Sequence, residues 1–278
     1  MAKILVTGAG GTIGRGLVSP LEAAGHELVV TDLAAPYRVV DVRDGAGLDA
    51  AAEGCDLLIH LPAWHGIHRA VRSDEEFWQL NVQGTFRALE AAQRAGIRRV
   101  VYLSSQAWHD DRYGKYGFTK RVAEELLEYR RRAHGVSYVS VRPGNLTPWG
   151  DDWPGEYGRG LLYGRVDRED VLAAIVASVA FLQSTDAGVA LDVVRPNPDP
   201  LDALERWASD PVGTAEQLYP GAREVIERFG LDVTAQPRIS PTGGWAEIGY
   251  RPAHDFGTFV AEALRMSESE ARALRCPY

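Results

Sequence analysis

Tyr116 and Lys120 stand four residues apart in the segment YGFTK, and a helical pattern continues from there to about residue 134. Side chains at this spacing share one face of a helix, so the phenol and the ammonium group can act together. The chain contains 27 Arg but only three Lys, two of them in residues 113–120. A retained Lys indicates a position that needs a compact point charge rather than a planar fork. Lys115 lacks the spacing to Tyr116 and is expected to be solvated.

A glycine-rich loop near the amino terminus has the spacing of a dinucleotide-binding turn. Gly8, Gly11 and Gly14 stand between a predicted strand at 3–7 and a helical pattern. Glycines there permit a tight turn, the approach of backbone N–H groups to a pyrophosphate, and close packing of helix on strand. Asp32 ends the second predicted strand, where its carboxylate would bind the adenosine ribose hydroxyls and repel a 2′-phosphate. The pattern therefore predicts NAD rather than NADP.

With a dinucleotide nearby, the tyrosine can be interpreted as a general base. The unperturbed pKa of a phenol is about 10, which is too high for a base at neutral pH. The Lys120 ammonium group and a positively charged nicotinamide would both favour the phenolate and lower the pKa of Tyr116. Tyr116 could then accept a proton from a substrate hydroxyl while hydride leaves the same carbon. A serine at 104 or 105, at the end of a strand, could stabilise the reacting oxygen.

Strand and helix patterns alternate along the chain up to about residue 146 and become less regular beyond it. The predicted strands are 3–7, 27–32, 37–42, 55–61, 98–105 and 136–144, and the predicted helices are 12–24, 74–95, 118–134 and 167–183. This order predicts an α/β fold, a Rossmann-type doubly wound parallel sheet with a small C-terminal substrate-binding lobe. We expect an NAD-binding core at 1–146 and a mixed region at 147–278 that completes the sheet and forms the lobe. The Pro-dense run 194–200 is expected to be a connector.

Charge and composition exclude several classes of protein. The formal net charge of −8 argues against binding to nucleic acid or to an anionic membrane. No segment approaches the roughly 20 apolar residues that span a bilayer. Cys55 and Cys276 match no metal spacing or disulfide framework, and the histidines form no metal spacing, so no metal site is predicted. A first strand from Lys3 is expected to leave no room for a signal peptide, and a reducing cytoplasm is the expected location.

These motifs together resemble the extended short-chain dehydrogenase/reductases of the NAD-dependent epimerase/dehydratase family. The resemblance covers about residues 3–146, where the glycine loop, Asp32, DLLIHL, NVQGTFRALEAA, VVYLSS, the Tyr–Lys pair and VRPGN occur in the family's order. It implies that Ser105, Tyr116 and Lys120 are catalytic, with Ser104 as the alternative to Ser105.

The same resemblance implies which residues hold NAD. Asp41 matches the position that meets adenine, and Asn81 matches a helix asparagine that supports the geometry of the site. Residues 61–63 correspond to a loop beside the cofactor, where Pro62 departs from the usual LAA. The full set of implied contacts is Gly8, Gly11, Thr12, Ile13, Gly14, Asp32, Asp41, Val42, Leu61, Pro62, Ala63, Asn81, Tyr116 and Lys120.

Two departures from the family pattern point to a substrate smaller than a nucleotide sugar. Only ten residues separate Ser105 from Tyr116, and the C-terminal region is short for a lobe that clasps a nucleoside diphosphate. Uronate dehydrogenases of the family are similarly compact, and the resemblance implies that Arg159 grips a sugar carboxylate. His65, Ser105 and Asn145 are the other implied substrate contacts. An incidental position on a mobile surface loop is an equal alternative for His65.

The predicted function is NAD-dependent oxidation of a hydroxyl of a sugar or a uronate-type sugar acid. Two alternatives stay open: a sugar epimerase that returns hydride to the opposite face and keeps NAD bound, and a dinucleotide-sensing regulator without chemistry. The intact pair of Tyr116 and Lys120 speaks against the regulator. The expected partner is a small molecule. A homo-oligomer is compatible with the sequence, which gives neither the oligomeric state nor the substrate's identity and stereochemistry.

Overall fold

The computed structural model describes residues 1–109, 111–147, 152–195, 201–237 and 241–274, with Leu201 described by its backbone alone. The strands are β1 (Lys3–Thr7), β2 (Glu27–Asp32), β3 (Arg38–Val39), β4 (Leu57–His60), β5 (Arg99–Leu103), β6 (Ser137–Pro143), β7 (Leu146–Thr147), β8 (Val166–Asp167) and β9 (Gly188–Val193). Most of the connector predicted at 194–200, and Cys276, lie outside the described residues.

Thirteen α-helices lie in the described part of the chain. They are α1 (Thr12–Ala23), α2 (Leu48–Ala52), α3 (Asp74–Phe77), α4 (Thr85–Arg94), α5 (Gly114–His134), α6 (Gly158–Leu162), α7 (Arg168–Ser184), α8 (Leu201–Trp207), α9 (Pro211–Leu218), α10 (Ala222–Phe229), α11 (Trp245–Ile248), α12 (Phe256–Ala263) and α13 (Glu268–Ala273). None of these described helices combines the length and the apolarity that crossing a membrane requires.

The main sheet has seven strands in the order β3-β2-β1-β4-β5-β6-β9, so the expected doubly wound fold is confirmed. The five described pairings between β3 and β6 are parallel. Thr7 at the end of β1 lies opposite both Thr31 of β2 and His60 of β4. The chain order reverses between β1 and β4, and the crevice at the carboxyl ends of strands at such a switch point is where ligands bind in these sheets.

Three predicted elements differ from the observed ones. The strand expected at 37–42 is reduced to Arg38–Val39, whose two residues are exposed at the edge of the sheet. The helix expected at 74–95 is continuous only through a π-helical segment, Trp78–Gly84, that separates α3 from α4. Gly84 allows this segment to pack closely, because a Cβ atom there would lie 2.9 Å from Val42 Cγ2. α5 begins at Gly114, four residues earlier than predicted.

The chain divides into two compact units, and the division is not a single cut near residue 146. The first unit comprises Met1–Pro143, Leu172–Asp192 and Gly243–Tyr250, and the second comprises Gly144–Val171, Val193–Thr242 and Arg251–Tyr278. The first unit therefore takes part of α7 and most of β9 from the region expected at 147–278. The second unit has its own core, which includes buried aromatic side chains at Trp153, Tyr157, Trp207, Phe256 and Phe259.

Helix α1 packs against the end of β1 at a distance that only glycine permits. A Cβ atom at Gly14 would lie 2.5 Å from the carbonyl oxygen of Gly8 and 2.6 Å from Cα of Ala9. Both of these are backbone atoms, so no side chain can rotate away to make room. The third glycine of the loop is therefore required by packing.

Gly14→Ala is expected to lower the free energy of unfolding by about 3 kcal/mol, because the added methyl group forces helix and strand apart. Urea denaturation measures the change. Gly11→Ala is the matched control: its Cβ would lie 3.4 Å from the nearest atom, and its φ of −72° is ordinary. Loss of the N-terminal cap there should cost about 0.5–1 kcal/mol. Equal losses in the two variants would contradict the packing argument.

Candidate active site

The glycine loop brings the start of α1 close to the segment after β4. Gly8 has a φ of +75°, and a Cβ atom at this position would lie 3.0 Å from Pro62 Cγ. Leu61 N donates to Thr7 O at 3.2 Å, which extends the pairing of β4 with β1 by one residue. Gly11 precedes α1, and the first N–H groups of an α-helix have no partner inside the helix. The loop can therefore accept an anionic group at the helix amino terminus.

Two more residues of this helix end were predicted to touch NAD. Thr12 is the first residue of α1 and is partly buried, and the side chain of Ile13 is buried in the core. Ile13 can therefore present only its backbone to a ligand at the helix end. Ala63 follows Pro62 in the segment after β4 and is partly exposed.

Asp32 lies at the end of β2 and is joined to the glycine loop. Its Oδ2 accepts a hydrogen bond from Gly10 N at 2.8 Å, and its Oδ1 accepts one from Leu33 N at 2.6 Å. A side chain at Gly10 would collide with the Asp32 carboxyl group and with the Tyr37 ring. The carboxylate is therefore held next to the loop, where the sequence placed a ribose-binding group.

Asp41 has a strong partner that the sequence prediction did not include. The Arg43 guanidinium donates to both carboxylate oxygens of Asp41, at 2.9 Å and 3.1 Å from Nε and 2.6 Å from Nη2. This hydrogen bonding lowers the pKa of Asp41 below its usual value. Val42 is buried against Gly84 of the π-helical segment. An adenine amino group at Asp41 would have to share the carboxylate with Arg43.

These features fit a dinucleotide at the carboxyl ends of the strands. The packing around Gly8 and Gly14 leaves no room for side chains at these positions of the loop, and the Asp32 carboxylate is fixed beside it. The residues available to hold NAD are the backbone of the loop and of the first turn of α1, Asp32, and the segment 61–63.

Ser104 and Ser105 follow β5 but have different partners. The Ser104 hydroxyl is buried and donates to Glu124 Oε1 at 2.5 Å. Ser105 is partly exposed, and its Oγ accepts a hydrogen bond from Ala107 N at 3.1 Å. A hydrogen bond with Ser105 also lowers the pKa of Tyr116. Ser105 is therefore the serine beside the phenol, while Ser104 faces a buried carboxylate.

The protein alone raises the pKa of Tyr116. Burial disfavours the phenolate and raises the pKa of Tyr116 to about 12, and the hydrogen bond from Ser105 only partly opposes this. The sequence argument relied on the Lys120 ammonium group together with a positively charged nicotinamide to lower the pKa of Tyr116. In the structure the Lys120 Nζ donates to Leu103 O at 2.6 Å. Without a further positive charge the resting phenol is therefore protonated at neutral pH.

Lys120 is buried, with 2% of its surface exposed. Its ammonium group lies 4.8 Å from the centre of the Tyr102 ring. Burial lowers the pKa of Lys120 to about 7, while the charge of Glu124 acts to raise it. One of the three ammonium hydrogens is used by Leu103 O, so the group keeps donors for a ligand.

Glu124 is a residue of the site that the sequence analysis missed. It follows Lys120 by four residues, so Tyr116, Lys120 and Glu124 repeat at helical spacing along α5. Its carboxylate accepts from Arg142 Nε at 2.9 Å and Nη2 at 2.5 Å, in addition to Ser104. The Arg142 guanidinium lies 4.0 Å from the centre of the Trp108 ring. The spacing of four could have indicated Glu124, but its neighbour Glu125 looks the same in sequence.

Asn81 lies in the π-helical segment and joins two other parts of the site. Its Oδ1 accepts from Trp64 N at 2.7 Å, and its Nδ2 donates to Trp64 O and to Thr119 Oγ1, each at 3.0 Å. Thr119 Oγ1 in turn donates to Tyr116 O at 3.0 Å. Both amide hydrogens are therefore used, and the side chain is buried. Asn81 is therefore a clamp within the protein, which fits a role in supporting the geometry of the site, and its direct contact with the cofactor stays a prediction.

His65 stacks beside the proposed base. The rings of His65 and Tyr116 are nearly parallel, with centres 6.2 Å apart. Burial lowers the pKa of His65 to about 4, and the charges of Lys120 and His68 contribute. His65 is therefore neutral at physiological pH. The His65 ring is partly buried beside Tyr116, which argues against an incidental histidine on a surface loop.

Lys115 is not simply solvated, contrary to expectation. Its Nζ donates to Arg72 O at 2.7 Å and lies 2.9 Å from Asp74 Oδ1, and it also lies 5.4 Å from the centre of the Phe77 ring. It joins the start of α5 to the segment around α3. This contact depends on the tertiary fold, so the sequence spacing could not indicate it.

Two predicted substrate residues lie in the second unit. Asn145 is exposed, and its carbonyl oxygen accepts from Val166 N at 2.9 Å next to the pairing of β7 with β8. Arg159 is exposed on α6, and its charge helps to lower the pKa of Asp232. Arg159 thus has a carboxylate nearby within its own unit.

The structure combines a Rossmann-type sheet, a glycine-rich loop after β1, a serine after β5, and a tyrosine and a lysine on α5, and such a loop between strand and helix is typical of a dinucleotide-binding protein. The profile of the NAD dependent epimerase/dehydratase family matches residues 4–150. The chain belongs to this family, and the resemblance found in the sequence is confirmed. NAD, the predicted cofactor, is the cofactor of the family, whose members are enzymes.

Similar proteins include both dehydrogenases and epimerases. The chain is 29% identical over 171 residues to a uronate dehydrogenase of Pseudomonas syringae pv. tomato, covering 52% of this chain and 60% of the relative. It is 29% identical over 166 residues to a UDP-glucose 4-epimerase of Streptomyces lividans, covering 50% of each. A mutant uronate dehydrogenase of Agrobacterium tumefaciens complexed with NAD has a similar fold, with a TM-score of 0.63 at 19% identity over 96% of this chain and 90% of that one. The matched parts therefore span about half to three fifths of these two curated relatives.

NAD is expected to bind at least tenfold more tightly than NADP, a difference of about 1.4 kcal/mol, because the fixed Asp32 carboxylate repels a 2′-phosphate. Calorimetric titration with both dinucleotides measures the ratio. Asp32→Asn keeps the shape of the side chain and removes its negative charge. The difference between the NAD and NADP affinities should therefore become smaller, mainly because NADP binds more tightly. Equal affinities in the unsubstituted protein would contradict the role of Asp32.

Proposed function

We propose that the protein oxidises a hydroxyl of a small sugar or uronate-type sugar acid, with Tyr116 as the base and NAD as the hydride acceptor. The observation that carries the proposal is the grouping of Ser105, Tyr116 and Lys120 in one unit, at the end of β5 and the start of α5, together with the glycine loop. The uronate dehydrogenase among the relatives supports the substrate class.

The protein's own groups would handle the proton and orient the substrate. Ser105 lies beside the phenol, so a substrate hydroxyl placed between the two would receive a hydrogen bond from Ser105. The hydroxyl would give its proton to the ionised form of Tyr116, which forms when a bound positive charge lowers the pKa and the phenol loses its proton to solvent. Bound NAD supplies the acceptor for the hydride and a positive charge beside the phenol. Lys120 would orient the ribose side of the site with the hydrogens that Leu103 O leaves unused.

The proposed substrate is smaller than a nucleotide sugar. The link between Ser105 and α5 consists of two short 3₁₀ turns, Gln106–His109 and Asp111–Tyr113, and therefore forms no extended arm in its described part. A sugar acid would need one cation for its carboxylate, and Arg159 is our candidate. Because Arg159 lies near Asp232, the substrate carboxylate would compete with that side chain for it.

An epimerase is the second candidate, supported by the similarity to a UDP-glucose 4-epimerase. Epimerisation would use the same tyrosine but return the hydride to the sugar, so NAD would not be consumed. Cofactor consumption separates the two: a dehydrogenase accumulates NADH with substrate, whereas an epimerase converts sugar at constant NAD. A regulator would do neither.

Tyr116→Phe is expected to lower kcat by roughly 10²–10⁴, because it removes the proton acceptor with little change in packing. The assay is NADH absorbance with a panel of aldoses and uronates, and NAD affinity should change little. Phe118→Leu, an exposed substitution two residues further along α5, is the control for local disturbance and should keep the activity. Near-normal turnover of Tyr116→Phe would overturn the proposed mechanism, and no NADH with any sugar would overturn the proposed substrate class.

Arg159→Ala is expected to raise KM for a uronate about tenfold, while KM for the matching neutral aldose changes less than about twofold. Only the uronate loses a charge-assisted hydrogen bond in this variant, because the neutral aldose has no carboxylate. The expected increase in KM is small for such a bond, because Arg159 is exposed to solvent. Arg223→Ala is the matched control, because Arg223 is an exposed arginine of the second unit whose partner is Glu227. Equal effects of Arg159→Ala on acid and neutral sugar would mean that Arg159 binds no carboxylate.

A further inference from the structure

His60 is a buried histidine that is separate from the proposed catalytic residues Ser105, Tyr116 and Lys120. It ends β4, with 1% of its surface exposed, and both ring nitrogens contact a threonine hydroxyl. Nδ1 lies 2.8 Å from Thr7 Oγ1, and Nε2 lies 3.2 Å from Thr85 Oγ1. Its ring also stacks on Tyr102 at 6.2 Å between centres. A histidine held at both nitrogens must be in a defined tautomer.

The hydroxyl of Thr85 determines which nitrogen carries the proton. Thr85 has one hydroxyl hydrogen, and the short distance of 2.7 Å from its Oγ1 to Asn81 O assigns that hydrogen to the carbonyl. Thr85 can then only accept from His60, so Nε2 carries a hydrogen.

The other nitrogen follows from the charge of the ring. Burial and the charge of Lys120 lower the pKa of His60 to about 3, so the ring is neutral and Nδ1 is unprotonated. The Thr7 hydroxyl hydrogen then goes to Nδ1 at 2.8 Å, the closer of its two acceptors, rather than to Ile59 O at 3.4 Å. The hydrogen bonds run in one direction, from Thr7 through His60 to Thr85 and then to Asn81.

We infer that His60 is a positioning residue of the active site, which fixes the Asn81 clamp by donating from Nε2 to Thr85. Thr85 Oγ1 holds the carbonyl of Asn81, and the Asn81 side chain holds the backbone of Trp64 and the hydroxyl of Thr119. Through these contacts the chain of bonds reaches the residue before His65 and the first turns of α5. His60 itself touches neither cofactor nor substrate in this role.

The tautomer can be tested without an activity assay. The ¹⁵N resonances of the His60 ring, identified by their absence in His60→Gln, are expected to have one protonated nitrogen at Nε2 and one unprotonated nitrogen at Nδ1. The pattern should be the same at pH 6 and pH 8. A proton on Nδ1, alone or together with one on Nε2, would overturn the inference.

Two substitutions separate the hydrogen bond from the packing of the ring. His60→Gln places an amide donor near the position of Nε2, whereas His60→Asn reaches only the position of Nδ1, and both remove the stacking on Tyr102. His60→Asn is expected to increase the hydrogen-exchange rate of the Trp64 amide about tenfold and to lower kcat about tenfold at unchanged NAD affinity. For His60→Gln, both the Trp64 amide exchange rate and kcat should stay within about threefold of the values of the unsubstituted protein. Equal losses in the two variants would mean that only the ring matters.

Thr85→Val is a second test, because it breaks the chain of hydrogen bonds at the threonine while keeping the histidine ring and its stacking on Tyr102. It should increase Trp64 amide exchange and lower kcat as His60→Asn does. Thr31→Val is its matched control, since Thr31 is a buried threonine of β2 whose hydroxyl donates to Val6 O. A change in Trp64 exchange as large in Thr31→Val would show a global effect and contradict the inference. The kcat readings rest on the proposed function, whereas the ring resonances and amide exchange decide the positioning role even if no sugar is oxidised.

Discussion

The ammonium group of Lys120 is buried, and three neighbouring groups stabilise its positive charge. Removing such a charge from water is costly unless it is paired or hydrogen-bonded. Here Leu103 O accepts a hydrogen bond, the Tyr102 ring faces the group, and Glu124 supplies a negative charge. Burial still outweighs these contacts and brings the pKa of Lys120 to about 7. The same charge helps to keep neighbouring histidines neutral, as the lowered pKa values of His60 and His65 indicate.

The site uses lysine and arginine for different geometries, which accounts for a lysine in a chain so rich in arginine. Arg142 donates two hydrogen bonds to the Glu124 carboxylate and contacts the face of the Trp108 ring. A planar guanidinium with several donors is well suited to both contacts. Lys120 is buried and donates to one carbonyl oxygen, that of Leu103 at the end of β5. A guanidinium has five donors, and one carbonyl would leave most of them unpaired on burial.

The sequence predicted what depends on neighbours along the chain and missed what depends on neighbours in space. The glycine loop, Asp32 and the helix carrying Tyr116 and Lys120 are local features, and their placement on the elements followed from spacing. The π-helical segment could not be predicted, because the apolar spacing of an ordinary helix continues across it. Its packing depends on the contact of Gly84 with Val42, which is distant in sequence. Most of the short helices after residue 201 share an aromatic core with residues 153–162, and such long-range contacts leave little periodic signal in the sequence.

Roles within the site were harder to predict than positions. Adjacent serines at a strand end are equivalent in sequence, and only the buried Glu124 distinguishes Ser104 from Ser105. His60 looked like part of an apolar strand because its two threonine partners come from distant segments. The sequence did not indicate the burial that raises the pKa of Tyr116 in the protein alone, because desolvation is a property of the folded site.

The raised pKa of Tyr116 has a thermodynamic consequence for how the site works. Burial holds the phenol in its protonated form, so the protein alone supplies orientation and a hydrogen bond rather than a ready base. A positive charge bound beside the phenol would lower that pKa, and by linkage the ionised phenol would bind that charge more tightly by the same factor. Base strength and occupancy of the neighbouring site are therefore coupled quantities. Such coupling suits a site in which Ser105, Tyr116 and Lys120 are already assembled, because an unoccupied pocket then has little tendency to remove protons from stray hydroxyl groups.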